Sequence, residues 1–219
     1  MEAREIIARR AAWFLEDGDL VNLGIGIPTM VANYVPEGVE VILQCENGLV
    51  GQGPAPAPGK EDRNVVDAGG KCTTILPLGA CVDSATSFAL IRGGHLDASV
   101  LGALEVDQEG NLANWIVPGK IVPGMGGAMD LASGARKVIV TMEHCTRNGE
   151  AKILKKCTLP LTAVKRVTCV VTELCVLTNT PEGLMLSELA PGVTVEEVLA
   201  KTEAELIVPE KIVPMAGIS

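Results

Sequence analysis

The chain has 219 residues, of which 47% are hydrophobic and only 2% aromatic, and its formal net charge at pH 7 is −9. We expect one domain spanning residues 1–219, with a core of Val, Ile, Leu and Ala, and the composition excludes a disordered chain. The negative charge argues against a nucleic-acid surface, which needs clustered Lys and Arg. Apolar runs are interrupted well before about 18 residues and the N-terminus lacks a signal-peptide pattern, so we expect a cytoplasmic protein without a membrane span.

In chain order, the predicted elements alternate between helices and strands. We predict a helix over 2–16, a strand over 20–23, a short helix opened by Pro28, a strand over 39–43, a loop over 54–63, strands over 73–76, 99–101, 137–142 and 167–172, helices over 84–91 and 129–135, and a helix near 195–204. Thr194 followed by Glu197 is a capping-box pattern for the last helix. The alternation predicts an α/β fold with an open, mixed, mainly parallel sheet flanked by helices.

Cysteine and histidine positions do not form a metal-binding pattern. The seven cysteines include no CxxC pair, and several lie in apolar runs such as Val167 to Val171, which is typical of reduced core residues. His95 and His144 are far apart in the sequence, and only His144 and Cys145 are neighbours. We therefore expect no metal site.

Gly24 and Gly26 form a glycine pair directly after a predicted strand. Such a pair can bring backbone N–H groups close to a phosphate or carboxylate at a helix N-terminus, although it is equally consistent with a structural tight turn. The third glycine of a dinucleotide-binding fingerprint would stand at position 29, which is Thr29. Dinucleotide binding is therefore not expected.

Glu46 lies at the end of a strongly apolar predicted strand and is followed by Asn47 and Gly48. Asn-Gly readily adopts turn conformations, so the carboxylate is expected at the carboxyl end of the strand, where ligands gather in open α/β sheets. Cys45 would point the opposite way if the strand continued through it. The competing interpretation of Glu46 is a solvated turn residue.

Two further glycine clusters stand at predicted helix ends. Gly124, Gly126 and Gly127 precede the helix over 129–135, where free backbone amides can face an oxyanion, although a flexible helix entry fits the same pattern. Gly93 and Gly94 follow the helix over 84–91, where either can provide a left-handed C-cap. We interpret the neighbouring His95 as structural.

Taken together, several of these segments resemble the B subunit of family I CoA-transferases, and the resemblance spans nearly the whole chain. It rests on six motifs in the family's order, which are Arg4 to Arg10, Asn22 to Thr29, Glu46 to Leu49, Leu90 to His95, Asn114 to Lys120, and Gly124 to Leu131. The resemblance implies a CoA-transferase-like fold and an enzyme that moves CoA between short-chain carboxylic acids such as acetate, butyrate or acetoacetate. It also implies a partner, the A subunit, in a hetero-oligomer.

The same resemblance assigns roles to particular residues. The family's nucleophilic glutamate falls on Glu46, its oxyanion-hole glycine on Gly127 and an active-site asparagine on Asn22. Besides Asn22, we expect Gly24, Gly26, Asn47 and Gly126 to contact substrate. The family usually has serine before the glutamate, and here the residue is Cys45. A family lysine about two dozen residues after the glutamate falls on Gly70, with Lys71 beside it, so the role of Lys71 is open.

A carboxylate nucleophile implies a ping-pong reaction through a glutamyl-CoA thioester, with CoA as substrate and covalent intermediate and no permanently bound cofactor. An acyl-CoA hydrolase on the same scaffold would differ by letting water reach the thioester. A non-enzymatic ligand-binding domain with similar architecture would leave Glu46 inert, although no DNA-binding segment accompanies this chain.

Overall fold

The computed structural model describes residues 1–119 and 124–218. Its helices are α1 (Ala3–Ala12), α2 (Ile27–Met30), α3 (Ser84–Arg92), α4 (Ala128–Gly134) and α5 (Val195–Ala200), with a 3-10 helix over Val31–Tyr34. Its strands are β1 (Leu20–Leu23), β2 (Ile42–Cys45), β3 (Leu49–Gln52), β4 (Ile75–Cys81), β5 (Ala98–Gly102), β6 (Glu105–Asp107), β7 (Leu112–Ala113), β8 (Lys137–Thr141), β9 (Ile153–Leu154), β10 (Cys169–Val171), β11 (Cys175–Thr180), β12 (Gly183–Leu189), β13 (Leu206–Ile207) and β14 (Val213–Pro214).

Eleven strands form one mixed sheet in the order β13-β12-β11-β10-β8-β5-β1-β2-β3-β4, with β14 also paired to β12. The central strands β10, β8, β5, β1 and β2 are parallel, whereas β2-β3-β4 and β10-β11-β12 are antiparallel. The predicted α/β class with a mixed, mainly parallel sheet is confirmed. Strand β1 lies between β2 and β5, so the chain adds β2 on one side of β1 and β5 on the other.

Strands β5, β8 and β10 at the centre of the sheet are buried on both faces. On β8, Val138 and Val140 belong to one core cluster and Ile139 to the other, because successive side chains of a strand point to opposite faces. Helix α1 packs Ile7 into the cluster on the Ile139 side. Helices α3 and α4 cover the opposite side together with a small sheet of order β7-β6-β9. This two-sided burial explains the short, uniformly apolar runs of the sequence.

Several predicted boundaries are wrong. Helix α1 ends at Ala12 instead of residue 16, because Phe14 and Leu15 continue the apolar pattern in tighter turns bonded three residues back. Strand β2 occupies 42–45 rather than 39–43, and α5 ends at Ala200 rather than near residue 204. The predicted Thr194 cap is confirmed, because its side chain accepts a hydrogen bond from the Glu197 N–H. The cysteines are all free, but Cys81 is exposed rather than in the core.

Within residues 1–119 and 124–218, no helix is both long and apolar enough to cross a membrane. The same residues contain no group of three or more His, Cys, Asp or Glu side chains arranged to hold a metal ion.

Candidate active site

A cavity of about 770 Å³ opens at the carboxyl ends of β1, β2 and β5. Its walls come from the loop after β1, the β2–β3 turn, the segment 67–71, the end of β5 with residues 102–104, and the segment 124–128 at the start of α4. Because β1 is flanked by β2 on one side and β5 on the other, the loops that follow these strands diverge and leave a crevice. The cavity therefore lies at the edge of the sheet predicted from the position of Glu46.

Glu46 lies in the tight turn between the antiparallel strands β2 and β3, is half-buried and lines the cavity. The turn requires glycine at position 48. Gly48 has a φ of 120°, and a Cβ atom there would lie 2.1 Å from the Val82 carbonyl oxygen. The Asn-Gly sequence thus fixes the point at which the chain reverses and the Glu46 carboxylate meets the cavity.

Asn22 connects β1 to the Glu46 carboxylate. It is 1% exposed, and its Nδ2 lies 3.2 Å from Glu46 Oε2, 2.9 Å from the Gln44 carbonyl oxygen and 2.8 Å from Gln44 Oε1. These partners are all acceptors, so the amide nitrogen must face them. Asn22 Oδ1 has no hydrogen-bond partner among the described residues. Asn22 and Gln44 are register partners across β1 and β2, which explains why their side chains meet.

Gln44 and Ser87 extend this contact into a buried hydrogen-bond chain. Gln44 Nε2 donates to Ser87 Oγ at 2.8 Å and to the Cys45 carbonyl oxygen at 3.1 Å, whereas Gln44 Oε1 accepts from Asn22. Ser87 is completely buried on α3. Asn22 is therefore the donor in both directions, to the Glu46 carboxylate and to Gln44, and Gln44 in turn donates to the Ser87 hydroxyl on α3.

Gly127 lies against the Glu46 side chain at the N-terminus of α4. A Cβ atom at this position would lie 3.3 Å from Glu46 Cγ and 3.4 Å from Phe88 Cζ, which is tighter than usual van der Waals contact. Its φ of −83° is one that any residue can adopt, so the close approach, and not the backbone conformation, favours glycine here. The main chain of the α4 entry can thereby reach the carboxylate.

Cys45 lines the cavity, although a strand that continued through it would have turned it away from the Glu46 side. Strand β2 ends at Cys45, so the alternation of strand side chains does not extend to Glu46, and both residues line the cavity. Cys45 Sγ donates to Gln52 Oε1 at 2.9 Å. Burial is the main cause that raises the pKa of the Cys45 thiol to about 11, so the group is neutral near pH 7 and a weak nucleophile.

Of the other predicted site residues, only some line the cavity. Gly24 and Gly126 line the cavity, whereas Gly26 and Asn47 are not among its lining residues. Gly26 is the N-cap residue of α2, and Asn47 is exposed and donates to the Val66 carbonyl oxygen at 2.9 Å. Asn47 therefore anchors the segment 65–71 beside the cavity.

Lys71 lines the cavity, while its backbone N–H donates to Asp67 Oδ1 at 2.9 Å. His95 is exposed after α3 and does not line the cavity. Lys120 and Pro123, which belong to the glycine-rich segment of the sequence, lie outside the described residues.

Sequence reasoning missed Gln44, Ser87 and Phe88. Gln44 carried a usable signal, because it is a polar residue in an apolar strand two positions before the carboxylate. Ser87 and Phe88 carried none, since they are more than forty positions away from Glu46, and only the packing of α3 brings Ser87 to Gln44 and Phe88 to Gly127.

The fold and the site define an α/β protein with a carboxylate at a sheet-edge cavity, an arrangement typical of enzymes that act on small molecules. The model of the Coenzyme A transferase family matches residues 4–201, and the chain belongs to this family. It is a CoA-transferase subunit, and CoA is a substrate of the family.

Individual relatives support the same assignment. The chain is 60% identical over 210 residues to the acetate CoA-transferase subunit beta of Haemophilus influenzae, covering 96% of this chain and 94% of the relative. It is 47% identical over 218 residues to the mitochondrial succinyl-CoA:3-ketoacid coenzyme A transferase 2B of Mus musculus, covering 99% of this chain and 42% of that relative.

Among solved structures, the apoenzyme of the acyl-CoA transferase YdiF from Escherichia coli O157:H7 matches 99% of this chain with a TM-score of 0.76 and 24% identity. The chain spans 44% of the YdiF chain. At 24% identity, this structural similarity establishes the fold alone.

Proposed function

We propose that this chain is the subunit that supplies the catalytic carboxylate, Glu46, of a short-chain acyl-CoA:carboxylate CoA-transferase. The reaction moves CoA from one carboxylic acid to another through a glutamyl-CoA thioester. The single observation that carries this proposal is the position of Glu46, which faces a cavity of about 770 Å³ while Asn22 and Gly127 hold its side chain from two sides. A cavity of this size is within the range of about 300–1,000 Å³ that small-molecule sites occupy.

The reaction begins when a Glu46 oxygen attacks the carbonyl carbon of the acyl-CoA. The carbon–sulfur bond breaks, CoA leaves as a thiolate, and a mixed anhydride joins the acyl group to Glu46. The thiolate then attacks the glutamyl carbonyl carbon, which releases the donor acid as a carboxylate and leaves the thioester. The acceptor carboxylate repeats both steps in reverse, so the cycle is balanced without a net gain or loss of protons or electrons.

Each attack places negative charge on a carbonyl oxygen, which a fixed N–H donor stabilises. We assign this role to the Gly127 amide, because the main chain at Gly127 is the part of α4 that lies against Glu46. One such donor is worth roughly 3 kcal/mol of transition-state stabilisation. Asn22, which is 1% exposed and does not line the cavity, acts by holding the carboxylate in one orientation.

Retaining the thioester energy requires that water stays away from the glutamyl carbonyl. The cavity of the single chain has an open side, so we infer that an A subunit completes it in a hetero-oligomer. The beta-subunit name of the relative from Haemophilus influenzae supports this inference. We also infer that residues 1–219 form one domain, since strands from Leu20 to Pro214 contribute to the same sheet.

The names of the relatives suggest the substrate class. An acetate CoA-transferase and a succinyl-CoA:3-ketoacid transferase both act on short acids, so we propose acetate, butyrate, acetoacetate and similar acids as donors or acceptors. The substrate-contacting set is proposed to include Gly24 and Gly126 in the cavity wall, with Gly26 and Asn47 shaping the adjoining loops.

A transfer assay tests this function directly. The chain is co-expressed with its A subunit, and acetoacetyl-CoA, butyryl-CoA or acetyl-CoA is supplied with each acceptor acid in turn. We expect acceptor-dependent formation of a new acyl-CoA, negligible activity of the isolated chain, and loss of transfer in Glu46→Ala. Release of free CoA at the same rate with and without acceptor would instead indicate a hydrolase.

A further inference from the structure

Strand β4 lies at one end of the main sheet and is almost entirely exposed. Six of its seven residues are exposed and only Gly79 is half-buried, in contrast to the buried central strands. The segment reads Ile-Leu-Pro-Leu-Gly-Ala-Cys and contains no charged side chain. Ile75 is 38%, Leu76 43% and Leu78 106% exposed. A contiguous apolar edge of this kind on a folded protein indicates an interaction surface.

The usual protection of an edge strand is weak here. Strand β4 pairs with β3 on one side, and no described strand pairs with its other side. Natural sheet edges commonly carry Lys, inward-pointing charges or Pro to prevent association, and of these β4 has only Pro77. An uncovered edge with this composition would promote aggregation, so we expect it to be covered in the working protein.

Leu78 provides a second, independent observation. Its φ is 69°, in the left-handed region that a leucine adopts at a cost of about 1–2 kcal/mol, and its side chain has no packing in this chain to compensate. Because backbone strain of this kind persists where the surroundings compensate for it, a strained residue with a fully exposed apolar side chain points to a contact supplied from outside this chain.

We infer that β4 is the surface on which the A subunit docks, with Leu78 as its anchor. This inference rests on the proposed two-subunit function. Strand β3 joins β4 to the site, because its residue Gln52 lines the cavity while pairing with Ile75 of β4. A partner seated on β4 therefore stands beside the cavity, where it can close the open side.

The occupant is a chain of different sequence rather than a second copy. This chain matches 42% of the Mus musculus relative, so more than half of that protein remains, which is long enough to form a second folded unit. A symmetric pairing of two β4 edges would need a continuous backbone ladder. Pro77 has no N–H to donate and Leu78 leaves the extended region, so the ladder is interrupted and side-chain packing is favoured.

Three variants in the co-expressed complex test this surface. Leu78→Lys places a charge at the anchor, Leu78→Gly removes the side chain while relaxing the backbone, and Leu199→Lys is the matched control on α5. Leu199 is also an exposed apolar residue, at 43%, and its helix packs Val198 into the cluster that contains Leu184 of β12, toward the other end of the sheet. Each complex is diluted, and the dissociation constant is measured by mass photometry.

We expect Leu78→Lys to weaken the complex at least thirtyfold and Leu78→Gly at least tenfold, as truncation of an interface anchor does. Leu199→Lys should stay within about threefold of the unchanged chain, because exposed residues outside an interface contribute little. The exposed thiol of Cys81 on β4 gives a second readout, since it should react with N-ethylmaleimide at least tenfold more slowly in the complex than in the isolated chain.

Each other outcome contradicts the inference in a defined way. If both Leu78 variants bind the A subunit normally and Cys81 is not protected, the surface is wrong while the proposed transfer reaction stands. If the variants change only the self-association of this chain, the occupant is a second copy. If the unchanged chain forms no complex and supports no transfer, the proposed two-subunit function is wrong, and the assignment of β4 to an A subunit is wrong with it.

Discussion

The buried hydrogen bonds behind Glu46 suggest that catalysis depends on residues that do not touch substrate. Ser87 is the farthest of these, because it holds Gln44, which in turn holds Asn22 against the carboxylate. We predict that Ser87→Ala lowers kcat about fivefold with little change in KM, since one lost hydrogen bond is worth about 1 kcal/mol. Steady-state kinetics of the complex measure both parameters.

The control for Ser87→Ala is Ser84→Ala, which changes an exposed serine of the same helix. It should leave both parameters unchanged. An equal fall of kcat in the two variants would show that the effect comes from helix α3 as a whole, and unchanged kinetics in Ser87→Ala would show that Glu46 is oriented without it.

Cys45 is beside the nucleophile but should not replace it. Its thiol has a pKa of about 11 owing mainly to burial, so little thiolate is present near pH 7. We predict that Cys45→Ser keeps transfer activity within about threefold, because serine can retain the hydrogen bond to Gln52 without supplying a reactive sulfur. A loss as complete as that of Glu46→Ala would mean that the thiol takes part in the reaction.

His144 should make stability depend on pH. It is completely buried, its ring nitrogens lie 3.0 Å from Thr172 Oγ1 and 2.9 Å from Thr202 Oγ1, and burial together with nearby Lys201 lowers its pKa from 6.5 to about 4. Between these values the unfolded chain binds more protons than the folded chain. Stability contributed by the neutral imidazole is therefore present above pH 6.5 and is lost as pH falls toward 4.

For this reason, lowering the pH from 7.5 to 5.0 should reduce the free energy of unfolding of the wild-type chain by about 2 kcal/mol more than that of His144→Gln. Urea unfolding of both chains at the two pH values measures the difference. Identical pH dependence in the two chains would show that His144 does not control it.

At the scale of elements, the approach of α4 to the β2–β3 turn is what brings Gly127 to Glu46. A methyl group at Gly127 would press on Glu46 Cγ at 3.3 Å, and the branched side chain of valine would need more space. We predict that Gly127→Ala lowers kcat about tenfold and Gly127→Val about a hundredfold or more, because displacement of reacting groups by about 1 Å has an effect of this size.

The unfolding free energy and A-subunit binding of the Gly127 variants serve as controls, and both should stay close to wild type. Normal turnover by Gly127→Val with normal binding would remove Gly127 from the proposed oxyanion site.

The elements themselves were largely predictable, for identifiable reasons. Strand β1 was predicted with the observed bounds, and β5, β8 and α3 within one residue at each end, because two-sided burial gives short apolar runs and α3 has clear ends at Asp83 and Gly93. Strands β11 and β12 were not predicted. They are antiparallel additions beyond the parallel centre, and only part of each is buried, Cys175 to Leu177 in β11 and Leu184 with Leu186 in β12, so neither has the longer apolar run of a central strand.

At the scale of the whole molecule, the sequence placed a carboxylate at the correct edge of the sheet, whereas the contacts around it depend on distant packing. Glu46 was identified both from its position after an apolar strand and from the family motif, whereas Asn22 was identified from the family motif alone. The exposure of β4 could not be predicted, since its apolar residues look like those of any buried strand, and a single chain's sequence does not record which surfaces a partner covers.

The central claim is that Glu46 carries CoA covalently during transfer. The most direct measurement incubates the complex with acyl-CoA in the absence of acceptor acid, reduces it with borohydride and analyses the peptide containing residue 46 by mass spectrometry. We predict that the glutamyl carbonyl becomes an alcohol, with loss of one oxygen and gain of two hydrogens relative to glutamate, and that Glu46→Gln shows neither this change nor transfer. Full-rate transfer by a complex in which residue 46 is never modified would contradict the account.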